Sequence, residues 1–211
     1  MARVYVIDDD SAARDSLRML LSAVGHNVEA FRDGESFLEG ADLSADGCAV
    51  IDLGLPGIDG LGVQQAMRRA GARLRIIMIS GKADVGRAVQ AMRDGAVDFV
   101  EKPYQPVHLL EAVERALDAP APAAAPGAGD GELQDAPAPV LAAFAGRMDR
   151  LTPREREVFD RLLLGLQNKE IARELDISPR TVEIHRGRVM EKLECRNLAE
   201  LVRLGIGGGV A

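Results

Sequence analysis

The sequence predicts an α/β protein with a doubly wound parallel sheet, joined by a linker to a small all-helical unit. Over residues 1–118, short apolar runs alternate with longer segments of helical period. Residues 119–139 are almost all Ala, Pro and Gly, and only helical signals follow them. The chain of 211 residues therefore divides into domains at 1–118 and 140–211, with a linker at 119–139.

Five strand-helix units are predicted in the first domain. Runs such as VYVI and IIMI are apolar at nearly every position, which is typical of strands buried on both faces of a parallel sheet. The predicted strands are residues 4–7, 28–31, 49–53, 74–80 and 96–100. The predicted helices are residues 11–24, a short helix near Glu35, and residues 60–69, 85–93 and 106–117.

The linker has too few large apolar side chains to offset the entropy cost of ordering it. Proline extends such a segment and glycine loosens it, so we expect it to separate the domains without fixing their orientation.

Capping residues mark the helix starts of the second domain. The segment TPRE at 152–155 is a capping box with proline at the first helical position. Helices are predicted at 153–165, 169–175, 179–193 and 198–204, with caps at Thr152, Asn168, Ser178 and Asn197, and the GIGGGVA end at 205–211 is expected to fray. The second and third helices are separated by a short turn, which indicates a helix-turn-helix.

Composition excludes several classes of protein. No apolar run approaches the roughly 18 residues of a membrane span, and acids stand where a signal peptide needs an apolar core. We therefore expect a cytoplasmic protein with no membrane partner. Cys48 and Cys195 are too few and too far apart for a CxxC motif, so both are expected to be reduced and structural.

Charge is distributed unevenly within the net charge of -7. Residues 1–118 carry 13 basic and 19 acidic side chains, whereas residues 147–211 carry 13 basic and 11 acidic side chains. This asymmetry favours a nucleic-acid contact at the C-terminal end.

Polar side chains stand at four predicted strand ends, which all meet at one edge of a parallel sheet. They are Asp8, Asp9 and Asp10, then Asp52, Ser80 and Lys102. Clustered carboxylates near neutral pH favour a hard divalent cation, and Mg²⁺ with phosphate oxygens fits best. A nucleophile, a cation, a hydroxyl and an ammonium are the groups that stabilise a transferring phosphoryl group. Each residue alone also has a structural interpretation: Asp10 as a helix cap, Ser80 as part of a turn and Lys102 as an exposed charge.

Residues 1–118 resemble the receiver domain of two-component response regulators. The resemblance lies in Asp8-Asp9, the segment DLGLPGIDG at 52–60, Ser80 and Lys102-Pro103, with Phe99 at the family's aromatic switch position. It implies a flavodoxin-like (βα)5 fold with strand order 2-1-3-4-5 and a cis Lys102-Pro103 bond.

The resemblance also implies the role of each site residue. Asp52 accepts a phosphoryl group from a sensor histidine kinase, and Ser80 and Lys102 bind the phosphoryl oxygens. Asp9, Asp52 and the Gly54 carbonyl hold Mg²⁺, and Asp8 assists through water. Autodephosphorylation follows, but the protein is a switch and not a metabolic enzyme. A phosphatase or phosphotransferase is the alternative, although such enzymes carry an acid where Gly54 stands.

The segment from residue 147 to 204 resembles the LuxR-type DNA-binding domain of the FixJ/NarL subfamily. The motifs are LTPREREV, NKEIA at 168–172 and SPRTV at 178–182. The resemblance implies a transcriptional regulator that binds double-stranded promoter DNA, dimerises when phosphorylated and acts with RNA polymerase. A helical docking domain, or a module that binds RNA or protein, is the alternative.

The recognition helix is expected to begin after Ser178. Glu183, Ile184 and Gly187 share one helix face and are candidates for the major groove, although Glu183 could instead pair with a neighbouring Arg. Gly187 within a helix suggests close approach to DNA or to another helix. The remaining DNA-binding candidates are Asn168, Lys169, Arg180, Thr181, Arg186 and Arg188.

Overall fold

The computed structural model describes residues 1–81, 85–120 and 138–207, and these form two compact units. Most of the predicted linker lies outside the described residues, so the domain bounds stay a prediction. None of the helices in the described ranges has the length and apolarity that crossing a membrane requires.

The first unit is built on a five-stranded parallel sheet in the order β2-β1-β3-β4-β5, as the resemblance to receiver domains implies. The strands are β1 (Arg3–Ile7), β2 (Asn27–Phe31), β3 (Gly47–Asp52), β4 (Arg75–Ser80) and β5 (Asp98–Glu101). The helices of this unit are α1 (Ser11–Ala23), α2 (Gly34–Gly40), α3 (Gly60–Arg69) and α5 (Pro106–Asp118). Helix α4 (Val85–Arg93) follows β4 in the chain but groups with the second unit.

The three central strands are buried along almost their whole length, which is why their sequences do not alternate in polarity. On one face, alternate strand residues pack against α1 and α5 in a continuous apolar core that includes Val6, Val50, Leu17 and Leu109. Burying each such side chain contributes about 1.5–3 kcal/mol. This core holds the carboxyl ends of β1, β3, β4 and β5 at a common edge.

Aspartates begin three of these helices. Asp10 accepts from the N–H groups of Ala12 and Ala13, as expected of a helix cap, and Asp33 and Asp59 cap α2 and α3. The caps fix where each loop ends and its helix begins. The Asp10 carboxylate thus caps α1 and does not join the carboxylates of the other strand-end acids.

The helical unit contains α6 (Ala138–Met148), α7 (Pro153–Leu163), α8 (Asn168–Glu174), α9 (Pro179–Leu193) and α10 (Leu198–Gly207). The Thr152 capping box and the Ser178 cap are confirmed. The sequence did not predict α6.

The first predicted helix of this unit, α7, ends at Leu163, and Gly165, the stop that the sequence indicates, follows the C-cap Leu164 with φ 81°. Two other predicted helix bounds in this unit are wrong. Asn168 is the first residue of α8, and Gln167 precedes it as the cap, its N–H donating to Glu170 at 2.7 Å. Helix α10 extends to Gly207, and Gly205 within it packs closely against the Leu163 side chain.

Candidate functional site

The carboxyl edge of the sheet brings together the polar residues that the sequence places at the strand ends. Asp8 follows β1 and is 1% exposed, and Asp52 ends β3 and is 8% exposed. Ser80 ends β4 with 4% exposure, and Lys102 follows β5. A backbone hydrogen bond joins the ends of β4 and β5, in which the Lys102 N–H donates to the Ser80 carbonyl at 2.7 Å.

One ammonium group bridges the two buried carboxylates. Lys102 Nζ donates to Asp8 Oδ2 at 2.8 Å and to Asp52 Oδ1 at 2.7 Å. Burial alone would lower the pKa of Lys102, but its hydrogen bonds and charge interactions with Asp52 and Asp8 outweigh burial and raise the pKa to about 12. The lysine is therefore a fixed cation at neutral pH. The peptide bond between Lys102 and Pro103 is cis, as the resemblance implies.

The second carboxylate oxygen of Asp52 and that of Asp8 each accept a backbone hydrogen bond. Asp52 Oδ2 accepts from Gly54 N–H at 2.6 Å, and Asp8 Oδ1 accepts from Asp10 N–H at 2.9 Å. Arg14 Nη1 donates to the carbonyl of Asp8 at 2.7 Å, which fixes the backbone that carries the acid pair. The Asp52 carboxylate is thus oriented from both sides.

The donor set fits a hard divalent cation in chemistry and charge. Asp8, Asp9, Asp52 and Lys102 carry a formal net charge of -2, which a divalent ion would neutralise, and carboxylate and carbonyl oxygens are the ligands that Mg²⁺ prefers. Within the ranges that the structure describes, no three acidic, His or Cys residues gather as a metal site. Asp8 and Asp52 meet at Lys102, and Asp9, the residue after Asp8, is exposed.

Ser80, the predicted hydroxyl residue, and Phe99, the predicted aromatic switch residue, are both buried. Ser80 Oγ donates to the Gly81 carbonyl at 3.3 Å. Phe99 in β5 is 4% exposed, and its N–H donates to Asp98 Oδ1 at 2.8 Å. The ring is therefore excluded from solvent in this structure, and any inward movement would start from a buried position.

Glu35 is a residue near this site that sequence reasoning missed. Its Oε1 accepts from Ile58 N–H at 3.0 Å, which ties α2 to the loop after Asp52. Gly57 beside it has φ +73°, and a Cβ there would collide with the Glu35 carboxylate. The acid thus supports the loop that carries Gly54.

The helical unit presents the predicted DNA-reading face to solvent. Glu183, Ile184 and Gly187 on α9 are all exposed, and Ile184 is 49% exposed although it is a large apolar residue. Of the other candidates, Lys169, Arg180 and Arg188 are exposed, and Asn168, Thr181 and Arg186 are half-buried. Thr181 is engaged with the helix cap, its Oγ1 lying 2.8 Å from Ser178 Oγ.

The helical unit contains a partly buried ion pair that the sequence did not indicate. Lys192 Nζ donates to Glu155 Oε2 at 2.6 Å, and the Glu155 side chain is 3% exposed. Burial would raise the pKa of Glu155, but hydrogen bonds from Lys192 and Thr152 and the charge of Lys192 lower it to about 2. The pair joins the start of α7 to the end of α9.

The two cysteines are free and buried, as expected. Burial raises the pKa of both thiols to about 12, which keeps them protonated at neutral pH.

Two protein-family models match this chain. The response regulator receiver domain matches residues 4–114, and the luxR family of bacterial regulatory proteins matches residues 149–204. The first match covers the sheet and the Asp8–Lys102–Asp52 cluster, and the second covers α7 to α9 and most of α10.

Curated relatives match over almost the full length. The transcriptional regulatory protein FixJ of Bradyrhizobium diazoefficiens is 42% identical over 98% of this chain and 96% of its own length. The tetrathionate response regulatory protein TtrR of Salmonella typhimurium is 37% identical over 96% of this chain and 91% of its own. The crystal structure of full-length FixJ from B. japonicum is 40% identical with a TM-score of 0.52, covering 100% of this chain and 98% of that chain.

Proposed function

Because this chain belongs to the response regulator family of two-component systems and is a transcriptional regulator with a luxR-type DNA-binding domain, we propose that phosphorylation of Asp52 controls promoter binding by α9. The observation that carries the proposal is the bridge from Lys102 to the buried carboxylates of Asp8 and Asp52. It combines a nucleophile, a fixed cation and acids that suit a metal at one edge of the sheet.

Asp52 is the phosphoacceptor in this proposal. A carboxylate oxygen of Asp52 attacks the phosphorus of a phosphohistidine on a sensor histidine kinase, the P–N bond breaks, and the histidine leaves with the bond electrons. The hydrogen bond from Gly54 N–H orients the Asp52 carboxylate, and its burial keeps bulk water from competing.

Mg²⁺ would be held by Asp9, Asp52 and the Gly54 carbonyl, with Asp8 assisting through water. When bound, the ion neutralises charge on the transferring phosphoryl group. Lys102 and Ser80 bind the phosphoryl oxygens, and this draws Lys102 from its carboxylate partners toward the new charge. Ser80 and Phe99 then act as the switch pair that carries the change to the surface.

Gly54, two residues after the phosphoacceptor Asp52, affects how long the phosphoryl group stays on Asp52. Gly54 provides no side chain there to activate water as a second acid would. Autodephosphorylation therefore proceeds with water that is not activated from this position, and the protein acts as a switch.

On the DNA side, α9 enters the major groove. Glu183, Ile184 and Gly187 meet base edges, because they share the exposed face. The phosphate backbone is contacted by the remaining candidates, which are Asn168, Lys169, Arg180, Thr181, Arg186 and Arg188.

We place this regulator in the cytoplasm, with the histidine kinase, promoter DNA and RNA polymerase as partners. A homodimer formed on phosphorylation would bring two α9 helices to paired half-sites about one DNA turn apart.

The test compares wild type with Asp52→Asn and with Asp10→Asn as the matched control, each with Mg²⁺ and with or without beryllofluoride. Asp10 is the neighbouring acid whose carboxylate caps α1, a role that asparagine also fills. Sedimentation velocity measures dimerisation. Fluorescence anisotropy measures affinity for a DNA duplex. That duplex is first selected from a pool of random sequences by its binding to beryllofluoride-treated wild-type protein.

We expect beryllofluoride to produce a dimer and at least a tenfold gain in DNA affinity in wild type and in Asp10→Asn, and neither effect in Asp52→Asn. An equal response in Asp52→Asn, or none in wild type, would contradict the proposal.

A further inference from the structure

The C-terminal end of α9 is supported by a cation from another helix. The last carbonyl groups of an α-helix have no donor within the helix. The carbonyls of Met190 and Glu191 accept N–H groups that follow α9, whereas the Leu193 carbonyl accepts from Arg147 Nη1 at 2.8 Å. Arg147 lies in α6, so this hydrogen bond joins α6 to the end of α9.

Helix α9 needs such support because of how it ends. Glu194 closes it in the left-handed conformation with φ 57°, where glycine is the usual residue. Arg147 Nε lies 3.5 Å from the Glu194 carboxylate, and Arg150 Nη1 lies 3.0 Å from it. Arg147 is 23% exposed and also reaches the Leu193 carbonyl, whereas Arg150 is 60% exposed and bonds to Glu194.

Helix α6 is docked through the face that carries Arg147. Phe144 is 1% exposed and Met148 is 6% exposed, and both lie on the same helix face as Arg147. The Phe144 ring lies 6.3 Å from the Phe159 ring of α7. The match to the luxR family begins at residue 149, so α6 precedes the family's own helices.

We propose that Arg147 of α6 is a positioning residue that holds the recognition helix α9 by its C-terminal end. This inference rests on the proposed function, in which α9 reads DNA. Lys192, the basic residue in the last turn of α9, donates to Glu155 instead of capping its own helix. Arg147 therefore supplies the positive charge that favours a helix C-terminus.

The experiment measures DNA affinity of the full chain at several salt concentrations. It compares wild type, Arg147→Met, Arg147→Lys and the matched control Arg150→Met, all with beryllofluoride and the duplex enriched by wild type. Arg150→Met removes the same charge beside the same Glu194 but leaves the bond to the Leu193 carbonyl intact. Hydrogen exchange of the amides at the end of α9 reports whether the helix end has loosened.

We expect Arg147→Met to bind about tenfold more weakly, the loss typical of one charge-assisted hydrogen bond, with faster exchange at the end of α9. The slope of log affinity against log salt stays unchanged, because Arg147 does not contact phosphate in this proposal. Arg147→Lys keeps a charged donor and returns affinity to within about threefold of wild type. Arg150→Met binds like wild type.

Three outcomes would overturn the inference while leaving the proposed function intact: unchanged affinity in Arg147→Met, a salt slope lowered by about one as for a lost phosphate contact, or an equal loss in Arg150→Met. If wild type itself shows no salt-dependent DNA binding, the proposed function fails first.

Discussion

Lys192 Nζ lies 2.6 Å from Glu155 Oε2, and 37 residues of sequence separate the two. The same carboxylate accepts from the Thr152 N–H at 2.8 Å, so one side chain both completes the capping box of α7 and anchors α9. The start of α7 and the end of α9 are thus stabilised by a single acid.

This acid makes the stability of the helical unit depend on pH. The folded-state pKa of Glu155 is about 2, below its ordinary value of 4.5, so its contribution is complete above about pH 4.5 and is lost as the pH falls toward 2. We expect the free energy of unfolding to fall by about 3 kcal/mol more over that window in wild type than in Glu155→Gln. Urea denaturation of the full chain, followed through the amide NMR signals of α7 and α9, measures this. Equal pH dependence in both proteins would contradict it.

Removing Lys102 tests the charge balance of the Asp8–Lys102–Asp52 cluster. Lys102→Met leaves the buried acids Asp8 and Asp52 without their cation, so we expect a loss of about 2 kcal/mol in stability at low Mg²⁺. Mg²⁺ should stabilise Lys102→Met more than wild type, because the uncompensated charge is larger. Tyrosine fluorescence during urea denaturation reports on this unit, since the chain has no tryptophan and its two tyrosines, Tyr5 and Tyr104, lie within the receiver match.

Adding Asp8→Asn to Lys102→Met provides the control for that experiment. The double variant removes one of the two facing charges and should regain stability without Mg²⁺. Equal stabilisation of wild type and Lys102→Met by Mg²⁺ would contradict the expected effect of the Lys102 charge, and no stabilisation of either protein would show that the acids do not hold the metal.

Glu35 provides a test of the loop that carries Gly54. We expect Glu35→Ala to weaken Mg²⁺ binding about three- to fivefold, because the loop loses one hydrogen bond of about 1 kcal/mol. Glu35→Gln keeps an acceptor for the Ile58 N–H and should bind Mg²⁺ like wild type. NMR titration of the Gly54 amide with Mg²⁺ gives both affinities. A loss in Glu35→Gln as large as that in Glu35→Ala would indicate that charge, and not the hydrogen bond, is responsible.

The sheet and its polar edge could be predicted from sequence because both follow from local patterns. Fully apolar runs mark strands buried on both faces, and parallel strands bring their carboxyl ends to one edge. The bridge from Lys102 to Asp8 and Asp52 follows from this topology. Contacts that depend on side chains meeting across the fold, such as Glu35 with Ile58 and Glu155 with Lys192, have no local signal.

Helix α6 was missed because its composition resembles that of the linker. The segment APVLAAFAGRM is mostly small residues. Among the residues that the structure describes, Phe144, Arg147 and Met148 form the face through which α6 packs. The cap of α8 was misassigned by one residue, since Asn168 has the higher capping propensity but Gln167 adopts the extended conformation before the helix.

Substitutions at Gly187 should affect helix stability and DNA binding in different ways. A Cβ at this position would meet no described atom within 4 Å, so no neighbouring helix explains the glycine. We expect Gly187→Ala to stabilise the helical unit by about 1 kcal/mol, because alanine favours the helical conformation. Gly187→Leu should also fold, but its larger side chain would project from the exposed face and lower DNA affinity at least tenfold. Urea denaturation and anisotropy on the same samples give both quantities. If Gly187→Leu bound DNA as tightly as wild type, this part of α9 would not approach the groove, and Glu183 and Ile184 would lose their assigned role.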